Sequence, residues 1–292
     1  MTEEEFLKSY SIEKFDRPSV ATDMAVFSID EKEDSDMNYR KENKSVLKLL
    51  LIKRDEHPYK DNWALPGGFL RKDETPNAAA FRELKEETGV DVAFLRTLDV
   101  FGTPGRDPRG WIISHAYLAL VENSKCKVVA GSDAENADWF EIKVKIEKEQ
   151  SENDGNTISR ETVYSLELNN GGDVKLLSLI KRKTTYRDFH EISEYSEVDS
   201  FGFAFDHAII ILRAYLELQD MAEKDGRIIF DLLPEYFTLY KLQKAFEIVL
   251  GKELLVANFR RKISDFVTET DKIDAGSGHR PAKLFTRNLD KF

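Results

Sequence analysis

The sequence predicts an α/β fold: helices packed on a mixed sheet as a sandwich, followed by a C-terminal winged helix-turn-helix. Three observations carry that reading. Short apolar runs of strand character recur between residues 19 and 144, around one strongly signalled helix near residues 75–89. A long apolar helix pattern covers Phe205 to Glu223. The last sixty or so residues carry two amphipathic helix patterns joined by a short glycine turn, then a strand–turn–strand pattern.

Ser19 to Ile29 and Ser45 to Arg54 read as strands that pair in a long hairpin, with the polar stretch from Asp30 to Asn43 as the loop between them. Leu95 to Gly102, Trp111 to Val121 and Trp139 to Val144 are further strands. Between Glu147 and Ser200 the texture changes. EKEQSENDGN reads as a charged loop, and Thr162–Leu168 and Val174–Lys181 flank Asn169-Asn170-Gly171-Gly172, a hairpin signal. In the Phe205–Glu223 helix, Ile209, Leu212, Leu216 and Met221 define the apolar face that would cover the sheet.

The first helix is dictated by local rules. Thr75 suits the N-cap, Pro76 the first turn, Ala78, Ala79 and Ala80 the body, and Gly89 the left-handed position after the last turn. At about 100° per residue, Glu83, Glu86 and Glu87 share one face, while Phe81, Leu84 and Thr88 share another that can dock on a sheet. Carboxylates at this spacing repel unless a cation neutralises them. Mg²⁺ or Mn²⁺ takes a few carboxylates plus phosphate oxygens, and lowers the pKa of an attacking water. Arg82 is placed to orient Glu74 or a helix glutamate in a forked pair. Ala79 and Ala80, one turn earlier, would leave room for a substrate phosphate. A bare ExxEE more often marks an ordinary solvated helix face.

The spacing goes further than that. Gly68, Glu74, Arg82, Glu83, Leu84, Glu86, Glu87, Gly89 and Val90 fill every specified position of the pattern GX5EX7REUXEEXGU, with U a bulky aliphatic residue. The chance of this in a chain of such length is on the order of one in a million. The stretch resembles the Nudix box. The resemblance implies a Nudix α/β/α sandwich and water attack on a nucleoside diphosphate linked to another group. It also implies a divalent metal, Mg²⁺ or Mn²⁺, with Glu83 and Glu87 as principal ligands, Glu86 assisting and Glu74 supporting, and Gly67 and Gly68 in the loop against the substrate. It leaves the general base open; Glu83 is the candidate.

The loop Arg106-Asp107-Pro108-Arg109-Gly110 admits two readings. Arg106 and Arg109 could clamp the phosphates or terminal ribose of a nucleotide, or Asp107-Pro108 makes a tight turn and Arg109 a surface ion pair. Trp111 reads as core.

At the C-terminal end, Thr238 caps a helix from Leu239 to Leu250 with Leu239, Leu242, Phe246 and Val249 inward, and Gly251 ends it. A second helix, from about Glu253 to Phe266, turns Leu255, Phe259, Ile263 and Phe266 inward and Asn258, Arg260, Arg261 and Lys262 outward. Val267–Thr270, the tip Gly276-Ser277-Gly278 and Arg280–Phe285 form a wing. From Asp231 onward there are 11 Lys and Arg against 9 Asp and Glu, although the whole chain carries −11. Arg260, Arg261, Lys262, Arg280 and Lys283 are placed to meet phosphates, with Asn258 or one Arg at base edges. The competing reading is a solvated face on a protein-interaction module.

A Nudix domain followed by a winged helix resembles the Nudix-related transcriptional regulators of the NrtR family. WALPGGF (63–69), RDPRGW (106–111), FTLYKLQ (237–243), NFRRKI (258–263) and RPAKLF (280–285) carry the likeness. It implies a homodimer, a double-stranded DNA operator with two-fold symmetry, and ADP-ribose or a relative as ligand. Members with intact boxes can hydrolyse it, and this box is intact. The expected division is a Nudix domain over residues 1–225, with an insertion at about 145–200, and a winged helix over 230–292. The alternatives are a metabolic Nudix hydrolase whose C-terminal module only dimerises, and a regulator that binds without turnover.

Composition limits the setting. A hydrophobic fraction of 41% with 11% aromatic supports packed cores. The one cysteine, Cys126, cannot form an internal disulfide, which suits a reducing cytoplasm. No run approaches 18 apolar residues, so no membrane span is expected. A net charge of −11 argues against blanket nucleic-acid binding and leaves room for a local basic site.

Overall fold

The computed structural model describes residues 1–32, 44–90, 92, 94–122, 137–188, 190–274 and 281–292. Most of the Asp30–Asn43 loop, Cys126, the wing tip Gly276-Ser277-Gly278 and Arg280 lie outside the described residues. A short helix α1 (Glu3–Ser9), closed by a Thr2–Glu5 capping box, precedes the sheet. The strands are β1 (Ser19–Lys32), β2 (Lys44–Lys53), β3 (Trp63–Ala64) and β4 (Gly67–Phe69), then β5 (Phe94–Phe101) and β6 (Ile112–Leu120) after helix α2 (Pro76–Thr88). β7 (Ala137–Asn153), β8 (Ile158–Asn169), β9 (Lys175–Arg187) and β10 (His190–Phe201) follow. The sheet runs β10-β9-β8-β7-β2-β1-β6-β5, with β3 on β2 and β4 on β1. The expected β1–β2 hairpin is present, with Phe27 opposite Leu49. β1 and β6 are parallel, which makes the sheet mixed.

The region from 145 to 200 differs from its sequence reading. EKEQSENDGN is not a loop: β7 runs through to Asn153, and only Asp154–Thr157 turn, with Asp154 accepting from the Asn156 and Thr157 amides. Its charges sit on a strand because they face solvent, while β8 alternates buried Thr162, Tyr164, Leu166 and Leu168 with outward residues. β10, unsignalled by any apolar run, pairs with β9 along its whole length. The four strands form a meander that widens the sheet.

Each face of the sheet has its own apolar core. On one, α2 packs Ala80 and Leu84 against Met24, Val26, Leu50 and Tyr117. Ala79 and Ala80 are completely buried, so they do not line a phosphate pocket; their small size lets the helix approach the strands. Phe81, expected to dock, is 49% exposed.

On the other face lies helix α3 (His207–Lys224). Its buried residues include Ala208, Ile210, Ile211, Leu212, Ala214, Leu218 and Ala222, so of the stripe expected from Ile209, Leu212, Leu216 and Met221 only Leu212 is buried and the other three lie partly buried at the edge of the core. The reason is packing on two sides. α3 covers the sheet and also supports helix α4 (Leu239–Leu250), so Leu218, Ile229, Phe230, Leu242, Phe246 and Val249 belong to the same continuous core as Leu49 and Leu118. Gln219 Nε2 donates to the Val249 carbonyl at 3.0 Å across this junction.

Helix α4 has the expected Thr238 cap and a left-handed Gly251 terminus. Helix α5 starts later than expected, at Val256, and gives way to a 3-10 turn after Ile263. The segment before it is held extended because Glu247 accepts from the Leu254 amide at 3.0 Å and Gln243 Nε2 donates to the Leu254 carbonyl at 2.9 Å. Leu255 therefore sits outside the helix and is 74% exposed instead of inward. β11 (Val267–Asp274) and β12 (Ala282–Arg287) form the antiparallel wing. Among the described residues no helix is long and apolar enough to cross a membrane.

Candidate functional site

Strand β4 and helix α2 bring the box residues together. Gly67 and Gly68 pair with Asp23 and Thr22 of β1, so the loop lies flat on the sheet. A Cβ on Gly67 would collide with the Thr22 carbonyl oxygen, and one on Gly68 would lie 2.5 Å from the Glu83 carboxylate. Only glycines allow the backbone, the sheet and the α2 carboxylates to approach this closely.

Arg82 is the centre of the acidic face. It makes a forked pair with Glu74, at 3.0 Å from Nε and 2.6 Å from Nη2. Nη1 donates to Glu83 at 2.6 Å and to Glu86 at 3.2 Å. Arg82's hydrogen bonds, joined by the Arg71 amide, hold the Glu74 carboxyl down at about 2. Glu86 is half exposed and also meets Arg71 at 3.4 Å.

Glu87 is different. It is turned inward, where it accepts from the Gly67 amide at 2.8 Å. Burial, with the charges of Glu83 and Asp23 adding to it, pushes its carboxyl up to about 8 against the pull of the Gly67 N–H. Among the described residues no three His, Cys, Asp or Glu side chains already converge as a metal cage, since Arg82 draws Glu74, Glu83 and Glu86 to itself. The donors nonetheless fit a hard divalent cation. They are carboxylate oxygens, the Glu83 carboxylate lies in the hollow that a side chain at Gly68 would fill, and the Glu83–Glu87 repulsion is what a cation would relieve.

Behind the box lies a second polar cluster that sequence reasoning missed. Asp23 accepts a short hydrogen bond from Ser114 Oγ and lies 3.5 Å from Arg106 Nη2. Arg106, 4% exposed, forks onto Asp206 at 2.9 and 2.7 Å. His207 Nδ1 accepts from the Leu65 amide at 2.9 Å, and its Nε2 is 3.6 Å from Asp23. Burial holds the His207 pKa below its ordinary value despite Asp23 and Asp206, so the ring is neutral. The one available signal was Asp23, a lone charge inside the apolar run SVATDMAVFSI. Arg106 is thus spent on carboxylates of the chain itself. Arg109 pairs with Asp107 at 2.7 Å and lies over the rings of Phe69 and Phe205, at 5.1 and 5.2 Å. Trp111, expected in the core, is 56% exposed.

In the C-terminal module, Asn258, Arg260, Arg261 and Lys262 are all exposed on α5, over inward Phe259 and Ile263. Asn258 Oδ1 accepts weakly from Arg261 Nη2 at 3.5 Å. Lys283 stands on the wing, ion-paired to Glu269.

A ten-stranded mixed sheet carrying the box on one face and a winged helix locked to the other defines a Nudix protein with an appended DNA-binding-type module. The family model for the NUDIX domain matches residues 38–160, and that for the NrtR DNA-binding winged helix domain matches residues 229–286. The chain is 30% identical over 295 aligned residues to the ADPR responsive transcriptional repressor NtrR of Acinetobacter baylyi, covering 100% of this chain and 90% of that one. The chain belongs to the NrtR family. It is also 44% identical over 95 residues to the ADP-ribose pyrophosphatase of Methanocaldococcus jannaschii, a match to 32% of this chain and 55% of that one. A MutT/nudix family protein from Enterococcus faecalis has the same fold at a TM-score of 0.64 and 26% identity, over 99% of this chain and 94% of that one. Shewanella oneidensis NrtR, solved in complex with a 27mer DNA, shares the fold at a TM-score of 0.57 and 23% identity, over 93% of this chain and 94% of that one.

Proposed function

We infer that the protein is a transcriptional regulator that binds ADP-ribose or a related nucleoside diphosphate in its Nudix domain and DNA through its winged helix. The observation that carries this reading is the full-length likeness to an ADPR-responsive repressor, on a chain whose α5 presents Arg260, Arg261 and Lys262 outward. The Nudix domain spans residues 1–225 with the meander near 145–200 as its insertion, and residues 230–292 form the DNA-binding module. It acts as a homodimer on a two-fold symmetric double-stranded operator, in the cytoplasm. Asn258 and the basic residues of α5, with Arg280 and Lys283 on the wing, contact the duplex. Binding to the protein's own promoter DNA, followed by fluorescence anisotropy, is expected to weaken steeply with salt and to be released by ADP-ribose. Salt-insensitive binding, or none, overturns the DNA reading and leaves a metabolic hydrolase with a dimerising tail.

The intact box supports retained hydrolysis. Glu83 and Glu87 would hold Mg²⁺ or Mn²⁺, with Glu86 assisting, and the cation would neutralise diphosphate charge and acidify a water. Arg82 and Glu74 fix the position of Glu83, and Gly67 and Gly68 let the substrate approach the backbone. Arg109 borders the ligand, whereas Arg106, enclosed and forked onto Asp206, supports the site from behind instead of clamping phosphate. Release of AMP from ADP-ribose in the presence of Mg²⁺ is expected to vanish in Glu83→Gln. Unchanged turnover removes Glu83 from this role, and a wild-type protein that releases DNA without turnover is a sensor only.

A further inference from the structure

Helix α3 begins unlike α2 and α4. Thr75 and Thr238 cap those helices with their side chains, from an extended backbone. Asp206 holds the same position before α3, and a carboxylate is at least as good a cap as threonine, yet it makes no capping bond. Arg106 takes both of its oxygens, at 2.9 and 2.7 Å. The residue before it is strained. Phe205 has φ of 53°, a left-handed backbone that a bulky residue adopts rarely and at a cost. Packing of its ring holds it there, with Tyr59 at 4.9 Å, His207 at 5.3 Å, and the Arg54 and Arg109 guanidinium groups at 5.0 and 5.2 Å.

Both residues of this entry are tied to the box. Arg54, over the Phe205 ring, lies within the electrostatic reach of Glu87. Arg106, on Asp206, also lies 3.5 Å from Asp23, which pairs across the ladder with Gly67, whose amide holds Glu87 at 2.8 Å. The far end of α3 is tied to the winged helix. Gln219 donates to the Val249 carbonyl at 3.0 Å, Glu223 ion-pairs with Lys252, and α3 and α4 share one core. A strained, uncapped helix start thus stands between the box and the DNA-binding-type module.

We propose that Phe205 and Asp206 are a two-position entry to α3 that reports ligand in the Nudix domain to the winged helix. In one position Phe205 is left-handed and Asp206 pairs with Arg106. In the other Phe205 leaves the left-handed region, and Asp206 gives up Arg106 and caps α3. The two exclude each other, since forking onto Arg106 and reaching the first-turn amides need different rotations of one short side chain. A ligand shifts such an equilibrium only by preferring one state. An anionic diphosphate does so here by competing with the Phe205 ring for Arg54 and Arg109, which favours the second position. Re-seating the first turn of α3 then moves the surface on which α4 rests. The inference rests on the regulatory reading above and names the element through which the two modules communicate.

The test is Asp206→Asn in the full-length protein, which keeps a good cap and removes the charge that holds Arg106. Affinity for ADP-ribose without added metal is measured by calorimetry, and affinity for the protein's own promoter DNA by anisotropy. The variant is expected to bind ADP-ribose more tightly than the wild type and DNA more weakly, roughly fivefold or more in each case. ADP-ribose is expected to have little further effect on its DNA affinity. Simple damage to the fold weakens both ligands, so that outcome overturns the proposal, as does the reverse pattern. The thermal midpoint shows whether the variant folds. If it does not, amide hydrogen exchange of the wild type decides: ADP-ribose is expected to change the protection of His207 to Ile211, and unchanged protection there overturns the proposal. A wild type whose DNA affinity is indifferent to ADP-ribose defeats the regulatory reading itself. A wild type that responds, beside an Asp206→Asn that responds equally, leaves that reading standing and removes this one.

Discussion

Two arginines organise carboxylates within the Nudix domain, and they do so in opposite ways. Arg82 gathers Glu74, Glu83 and Glu86, all within eight residues of it, and of these Glu86 is half exposed. Arg106 gathers Asp206 and Asp23, 100 and 83 residues away, and is enclosed. The first cluster is held by one helix and the loop before it. The second ties β1, the loop after β5 and the cap of α3 into one piece around a guanidinium that is only 4% exposed. The comparison teaches that a cluster built within one helix and its loop is local, whereas one built across three elements pins the fold. A cation at Glu83 would have Arg82 as its rival, whereas loss of Arg106 would release β1, the loop after β5 and the cap of α3 together.

The largest expected effect tests that contrast. Arg106→Met leaves the largely covered Asp23 and Asp206 facing each other without the enclosed guanidinium between them and is expected to cost about 3 kcal/mol in urea unfolding. Arg82→Met is expected to cost less, since Glu74 keeps the Arg71 amide and Glu86 is half exposed, and to gain more thermal stability from added Mg²⁺ than the wild type does. Equal costs for the two variants would erase the distinction.

His207 gives the next effect. Its Nδ1 pairs the Leu65 amide, and Gln at this position would leave that buried N–H unmet, costing about 1–3 kcal/mol. The pH dependence has a definite sign. Asp23, Asp206, Arg106 and Arg54 face the ring, and burial depresses its pKa in the folded state. Its contribution is complete above the unfolded value of about 6.5 and is lost as pH falls below it. Between pH 7.5 and 5 His207 should therefore remove stability while protonation of Glu87, whose carboxyl is raised to about 8, adds it, so acidification should cost the wild type more, or benefit it less, than His207→Gln. An equal slope in both proteins would place the acid sensitivity in other groups.

The same contrast explains what the sequence revealed. The box, the Thr75 and Thr238 caps and the Gly89 and Gly251 termini follow local rules within one or two turns, so their geometry was legible. The forked Arg82–Glu74 pair was expected for the same reason. Asp23, Ser114, Asp206 and His207 come together only through the parallel pairing of β1 with β6 and the return of α3, which no spacing encodes. β10 was hidden because its residues face solvent on an edge strand and carry no alternating apolar signal. Trp111 and Phe81 were misplaced because apolar character does not say which neighbour covers it. The α3 stripe was misplaced because the sequence does not announce that the winged helix packs on the same helix, so that Ile210, Ile211, Ala214 and Leu218 are buried and Ile209, Leu216 and Met221 only partly.

The smallest effect bears on that far side. Thr238 caps α4 through its bond from the Lys241 amide at 3.1 Å, and Thr238→Ala is expected to cost about 1 kcal/mol. What matters is where the loss is read. The three tryptophans, Trp63, Trp111 and Trp139, all lie before residue 145, so their fluorescence reports only the Nudix part. If the winged helix were a separate unit, a cap lost at its first helix would leave the tryptophan transition unmoved. The core that runs from Leu49 and Leu118 through Leu218 to Phe246 and Val249 predicts that the two parts unfold together. The tryptophan midpoint should then shift in Thr238→Ala by as much as the loss of helical circular dichroism does. A fluorescence midpoint that stays fixed while the helical signal moves would separate the modules and show that the shared core does not couple their unfolding.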